Sequence, residues 1–169
     1  MVRKFLHIHR SEVSVACWLK AGVGAAAAFG VAWLLGDITG ASMIVAPMGA
    51  SAALIFGHPE SRAAQPAHVV LGHMLAGVIA LAANAFLPGG PVTLAAVVGT
   101  VIVLLGVLHL NHPPAAATAV IILLTHPSWT FLFTPLLSGL VTLVVVAVLV
   151  HRLPPRMTYP MAVPAAEGG

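Results

Sequence analysis

Four apolar stretches, at roughly residues 18–36, 68–87, 92–110 and 133–150, set the terms on which this chain can fold. Each approaches the ~20 residues that a helix needs to cross a ~30 Å hydrocarbon core. Only 7% of the residues are charged and 60% are hydrophobic, whereas a soluble domain carries roughly 25% charged residues. So few charges cannot cover a water-facing surface. The lipid bilayer is therefore the expected solvent, and an all-α membrane protein the expected class. The net charge of +3 speaks to topology and gives no sign of a nucleic-acid partner. The single cysteine, Cys17, allows no internal disulfide.

Two shorter apolar stretches, 44–57 and 114–125, lie between the long ones. At ~1.5 Å per residue their helices reach only about 15–20 Å. Both follow one pattern. Pro47-Met48-Gly49-Ala50-Ser51-Ala52 and Pro114-Ala115-Ala116-Ala117-Thr118-Ala119 each begin with proline, continue with very small residues and carry one hydroxyl. His58-Pro59 closes the first apolar run and His126-Pro127 the second. A short, proline-started segment repeated in two halves of a membrane protein is the sign of broken helices around a solute site.

Each short segment either re-enters, which leaves four full spans plus two re-entrant segments, or crosses as an extended lead-in and a half-helix, which makes six crossings. Basic residues favour six. With the N-terminus inside, Arg3, Lys4, Arg10, Lys20, Arg62, Arg152 and Arg156 all fall on the cytoplasmic side, whereas four spans put Arg62 outside. Trp18, Trp33 and Trp129 then lie at membrane boundaries. The expected fold is six membrane-crossing segments arranged as two inverted 3+3 repeats, 1–86 and 92–151, in a single transmembrane domain. A polar, proline-rich tail follows at 152–169. The stretch Ala21 to Gly36 behind its basic residues imitates a signal peptide, but equally apolar segments recur later, so it is read as the first crossing. The expected location is a bacterial inner (plasma) membrane, with both termini cytoplasmic.

Proline suits the first turn of a helix because its missing N–H has no partner there anyway. Helices starting at Pro47 and Pro114 would point their N-termini at each other near mid-membrane. Each would offer unpaired backbone N–H groups and about half a positive charge. Such a pair makes an anion site without a buried lysine or arginine. No charged residue lies well inside any predicted crossing, which disfavours a cation site. Gly49, Ala50, Ala116 and Ala117 leave room beside the backbone, and Ser51 and Thr118 are hydrogen-bond donors at equivalent positions. His73, Asn111, His112 and Pro113 flank the site. The candidate substrate-binding set is thus Pro47, Met48, Gly49, Ala50, Ser51, His73, Asn111, His112, Pro113, Pro114, Ala115, Ala116 and Thr118.

His109-x-x-His112 has a metal-like spacing, but no carboxylate or thiol completes a shell, so neither metal nor other cofactor is expected. Nothing resembles a hydrolase triad or a nucleotide loop, and no enzymatic activity is expected. His58, His68, His126 and His151 are read as interfacial. Gly72, Ala76, Ala80 and Asn84 form a row at helical spacing, suited to close packing and one candidate face for a homodimer.

The motifs also resemble a known family. His112-Pro113-Pro114-Ala115-Ala116-Ala117-Thr118-Ala119 is similar to the signature of the HPP family of integral membrane proteins. Ala46-Pro47-Met48-Gly49-Ala50-Ser51-Ala52, Ala64-Gln65-Pro66 and Gly72-His73 stand where that family has its other motifs. The resemblance covers about residues 15–150. It departs at Ala116, where the family commonly has glycine, and at Ala67-His68, where it commonly has Arg-Asn. The resemblance implies a membrane protein usually described with four spans. Its plant and cyanobacterial members are associated with nitrite transport. Transport of a small inorganic anion, with nitrite the best single match, is the expected function. The alternatives are a non-transporting scaffold or sensor subunit and a channel for another small solute.

Overall fold

A computed structural model describes residues 13–162, and every regular element among them is helical. Expectations for Arg3, Lys4, Arg10 and the end of the tail fall outside the described residues. Helix α1 spans Val15–Thr39, α2 Pro47–Gly57, α3 Pro66–Phe86, α4 Pro91–Val107, α5 Pro114–Thr125 and α6 Ser138–His151. Short 3-10 turns at Arg62–Ala64 and Trp129–Leu132, and a π turn at Phe133–Leu137, fill the connections. The helix α2 to α5 starts all fall on proline, whose fixed φ suits a helical first turn. Ser14 caps α1 by accepting from the Cys17 N–H, and Gly40, at φ 69°, ends it in the left-handed region.

Three helical segments, Val15–Thr39, Pro66–Phe86 and Trp129–His151, are long and apolar enough to cross a membrane. In lipid a helix suits such a segment because it satisfies its own backbone groups. Helix α4 is shorter than the apolar stretch 92–110. It stops at Val107, and His109 adopts a left-handed φ of 55°. A turn at Leu108 and His109 ends the helix before the apolar run does.

Contacts at the helix ends show direction. Trp18, early in α1, stacks edge-on against His58 just past α2. Lys20 Nζ donates to the carbonyls of Leu153 and Pro155 beyond α6. Tyr159 donates to Ala64 O at 2.9 Å, and burial pushes its phenol ionisation upward, so it stays a neutral donor. Lys20, Arg62 and Arg152 therefore share one end of the bundle. At the other end, Leu87 to Pro91 and His126 line one cavity of about 360 Å³. Successive helices thus alternate in direction.

The neighbour pattern has an internal symmetry. Helix α1 packs on α2 and α6, and α4 packs on α5 and α3. Helix α3 packs on α5 as α6 packs on α2, and the pairs α2–α5 and α3–α6 also touch. Exchanging α1 with α4, α2 with α5 and α3 with α6 turns this set into itself. Specific contacts repeat at one sequence offset, the 67 positions from Pro47 to Pro114. Asn84 Nδ2 of α3 donates to Ile122 O of α5 at 2.9 Å, and His151 Nε2 of α6 pairs with Ile55 O of α2 at 2.9 Å. Gly72 lets α3 approach Leu110 O, and Gly139 lets α6 approach Met43 O.

Two expectations change. The row Gly72, Ala76, Ala80 is buried, and Asn84 bonds within the chain, so this row packs inside the protomer and is no free dimer face. His151, read as interfacial, is buried inside the protein. It is 1% exposed, between Phe56 and Tyr159. Its role follows from Pro59, which has no N–H to give Ile55 O in the normal i→i−4 place. The imidazole supplies that donor. His151→Leu should leave the carbonyl orphaned and cost about 1–3 kcal/mol of stability, whereas His151→Gln, which keeps a donor, should recover part of it. Thermal unfolding in detergent measures both, and a Leu variant as stable as wild type would refute the capping role.

Candidate functional site

The two short helices meet at His73. It sits on α3, about two turns from the Pro66 start, and is fully buried. Its Nε2 lies 2.8 Å from Ser51 Oγ of α2, and its Nδ1 2.6 Å from Thr118 Oγ1 of α5. Ser51 Oγ is also 2.9 Å from His112 Nε2, and His112 Nδ1 is 2.7 Å from the carbonyl of Ala63. The rings of His73 and His112 pack at 4.9 Å with an interplanar angle of 60°. Ser51, His73, His112 and Thr118 are each 0% exposed. Such a cluster is tolerable in an apolar interior only because every member finds a partner.

Local sequence explains the placement. Ser51 and Thr118 each stand one helical turn after the proline, which brings them onto the buried faces of α2 and α5. His112 is held by the break that Pro113 and Pro114 impose. Gly72 brings α3 close to that break, for a methyl there would lie 3.2 Å from His112 Cβ.

The predicted site residues separate into groups. Pro47, Met48, Ser51, His73, His112, Pro114, Ala115 and Thr118 are buried, and four of them form the network. Ala116 is half-buried, while Gly49, Ala50, Asn111 and Pro113 are exposed. Gly49 has open space where a side chain would start. Among the backbone donors expected to be unpaired, four have partners. Met48 N donates to Val45 O, Gly49 N to Ala46 O, Ala115 N to His112 O and Ala116 N to Pro113 O, at 2.9–3.2 Å. The reason is that Ala46 and Pro113 are already helical, so a tight turn precedes each helix and uses its first N–H groups. Polar side chains, rather than those four amides, dominate the site.

The Ala63 carbonyl was not foreseeable from residue types, since any residue carries one. It lies on the 3-10 turn beside Arg62, and this turn lines a cavity of about 570 Å³ with Arg62, His68, His109 and Asn111. Asp37 lines another cavity, of about 550 Å³, at the opposite end of α1. Neither these two nor the one at the 87–91 turn is lined by the network residues. No group of three His, Cys, Asp or Glu suited to a metal ion occurs among the described residues.

Fold and site together define a small helical membrane protein with a histidine–hydroxyl cluster where two short helices begin. A family model described as the HPP transmembrane region matches residues 10–160, and the chain belongs to the HPP family. Its name-giving tripeptide is His112-Pro113-Pro114, whose histidine links Ser51 to the Ala63 carbonyl. Two proteins of Dictyostelium discoideum, each named only as a transmembrane protein, are 31% identical over 127 residues. The alignments cover 70% of this chain but 45% and 40% of theirs, so the chain spans less than half the length of these relatives. No solved structure is significantly similar to it.

Proposed function

We propose that this protein carries a small inorganic anion across a membrane, with nitrite the best single match, and that it is a transporter or channel rather than an enzyme. The carrying observation is the fully buried Ser51–His73–His112–Thr118 network where the two half-helices meet. Ionisable and polar groups at such depth are costly and by default functional. Charge is consistent with an anion, because Asp37 and Glu60 are the acids among the described residues and neither bonds to the network.

The topology we favour is six crossings in two inverted repeats. The exchange symmetry of helix neighbours and the repeated contacts at an offset of 67 support it. Lys20, Arg62 and Arg152 lie at one end of the bundle, and the positive-inside rule supports reading that end as the cytoplasmic face of a bacterial inner membrane. Cysteines placed by Arg62→Cys and Gly89→Cys in a Cys17→Ser background should react with an impermeant thiol reagent from opposite sides. Reaction from the same side excludes six crossings. A homodimer remains the assembly we propose, through a face other than the buried row on α3.

A second reading, a scaffold or sensor subunit, draws on the tight closure of the network, none of whose four side chains lines any of the three cavities. Uptake decides. Reconstituted vesicles should take up nitrite faster than protein-free vesicles of the same lipid. Rates no higher than in protein-free vesicles, for nitrite and for a panel of other monovalent anions, in protein shown to be folded, would favour the scaffold.

A further inference from the structure

Resting on the anion reading above, we infer that the site takes up one proton with each anion, so that the anion crosses as an electroneutral pair with H⁺. The argument is a count of hydrogen-bond donors. Ala63 O can only accept, so His112 Nδ1 must carry a hydrogen. With His112 neutral, its Nε2 is then a lone pair, and Ser51 must donate to it. Ser51 has no second hydrogen, so His73 Nε2 must donate to Ser51 Oγ. His73 Nδ1 is then the lone pair that Thr118 donates to. The chain runs one way, from the Thr118 hydroxyl through His73, Ser51 and His112 to Ala63 O. The two imidazoles hold opposite tautomers, and every donor in the network is committed.

A neutral site of this kind has neither a free donor nor a charge to offer an anion. One added proton changes both. On His112 Nε2 it turns that atom into a donor to Ser51 Oγ and frees the Ser51 hydroxyl hydrogen. On His73 Nδ1 it does the same for Thr118. Either way the site gains one positive charge and one free hydroxyl donor, which is what a monoanion needs to leave water. No bond other than N–H forms, and the proton comes from water on the entry side.

Among the described residues, His68 on α3 is the other imidazole close enough to act on His112, and it lines the loop-end cavity rather than bonding to the network. Helix α3 contributes His73, and α2 and α5 contribute uncharged Ser51 and Thr118. Helix α4 has no titratable side chain, and the one on α6, His151, is bonded to Ile55 O. Beyond Ala63, His68, His109 and Arg62 line the cavity at the loop end, where a proton and an anion would arrive together. Pro47 O, 3.3 Å from Ser51 Oγ, is the resting acceptor for the freed hydroxyl before an anion binds.

The test uses the full chain in vesicles with an internal pH dye and an inward gradient of sodium nitrite. Protein-free vesicles give the background from nitrous acid itself. The expected result is acidification above background, one proton per nitrite, with no current on a supported membrane. His112→Asn keeps an N–H for Ala63 O but cannot take a proton, and should lose the coupled acidification at least tenfold. A measurement without variants accompanies it. In ¹⁵N-histidine protein at neutral pH, one site histidine should carry its proton on Nε2 and the other on Nδ1, and nitrite should convert one to imidazolium. Nitrite uptake that carries current and moves no protons, or two identical tautomers unchanged by nitrite, overturns the coupling and leaves the anion reading standing. No nitrite uptake above background overturns both.

Discussion

Adding one methyl group at Gly139 should cost this protein about 3 kcal/mol, the upper part of the usual range for overpacking a close-packed interior. A Cβ built there would lie 2.1 Å from Met43 O and 2.8 Å from Met48 Sδ. The first of these is backbone, which cannot rotate away. Relief would require α6 to move off the lead-in to α2, which would loosen the start of that helix and shift Met48. At Gly72 the same change should cost less, since its closest contacts are 3.2 and 3.3 Å. Gly99→Ala is the control, because nothing lies within 4 Å of a methyl there, and it should be neutral or slightly stabilising. The order Gly139→Ala, Gly72→Ala, Gly99→Ala in falling cost can be read from unfolding midpoints in detergent. A Gly139→Ala variant as stable as wild type would mean that α6 does not approach the chain before Pro47.

Ser51→Ala should be the most damaging single change in the polar cluster. Ser51 pairs with both imidazoles. Its removal leaves a His73 N–H without an acceptor and a His112 nitrogen without a donor. An unsatisfied buried group costs about 1–3 kcal/mol, so two of them should lower stability by more than Thr118→Val, which strands only His73 Nδ1. Nitrite uptake should fall to background in Ser51→Ala, and a Ser51→Thr variant that keeps the hydroxyl should retain part of it. Equal stability of the Ala and Val variants would show that the two imidazoles do not depend on Ser51.

Much of the site was legible because its chemistry sits on unusual residue types. Hydroxyls four residues after matched prolines, and histidines in otherwise apolar segments, mark Ser51, Thr118, His73 and His112 without any coordinates. Sequence also pointed to the two-part plan, since Pro47 and Pro114 begin the same pattern. What it missed had no type signature. Helix α4 ended early at a turn where His109 takes a left-handed φ, while the apolar run continues. The role of His151 depends on Pro59, ninety-two positions away, failing to supply an N–H to Ile55 O.

By itself, then, the sequence determined the solvent, the helical class, the family and four of the buried polar side chains, Ser51, His73, His112 and Thr118, while misplacing Asn111 and His151. Scarcity of charge decides the first two, and short motifs with strong backbone consequences decide the rest. Tertiary structure alone decided which groups meet. Hydrogen bonds reach about 3 Å, so whether an imidazole faces a hydroxyl, a carbonyl or open space depends on how closely two helices approach. That approach is set at Gly72 and Gly139 by neighbours far away in the chain. The same geometry closed the first turns of α2 and α5 on themselves. It moved the site's chemistry from the backbone amides that sequence favoured to a one-way chain of side chains.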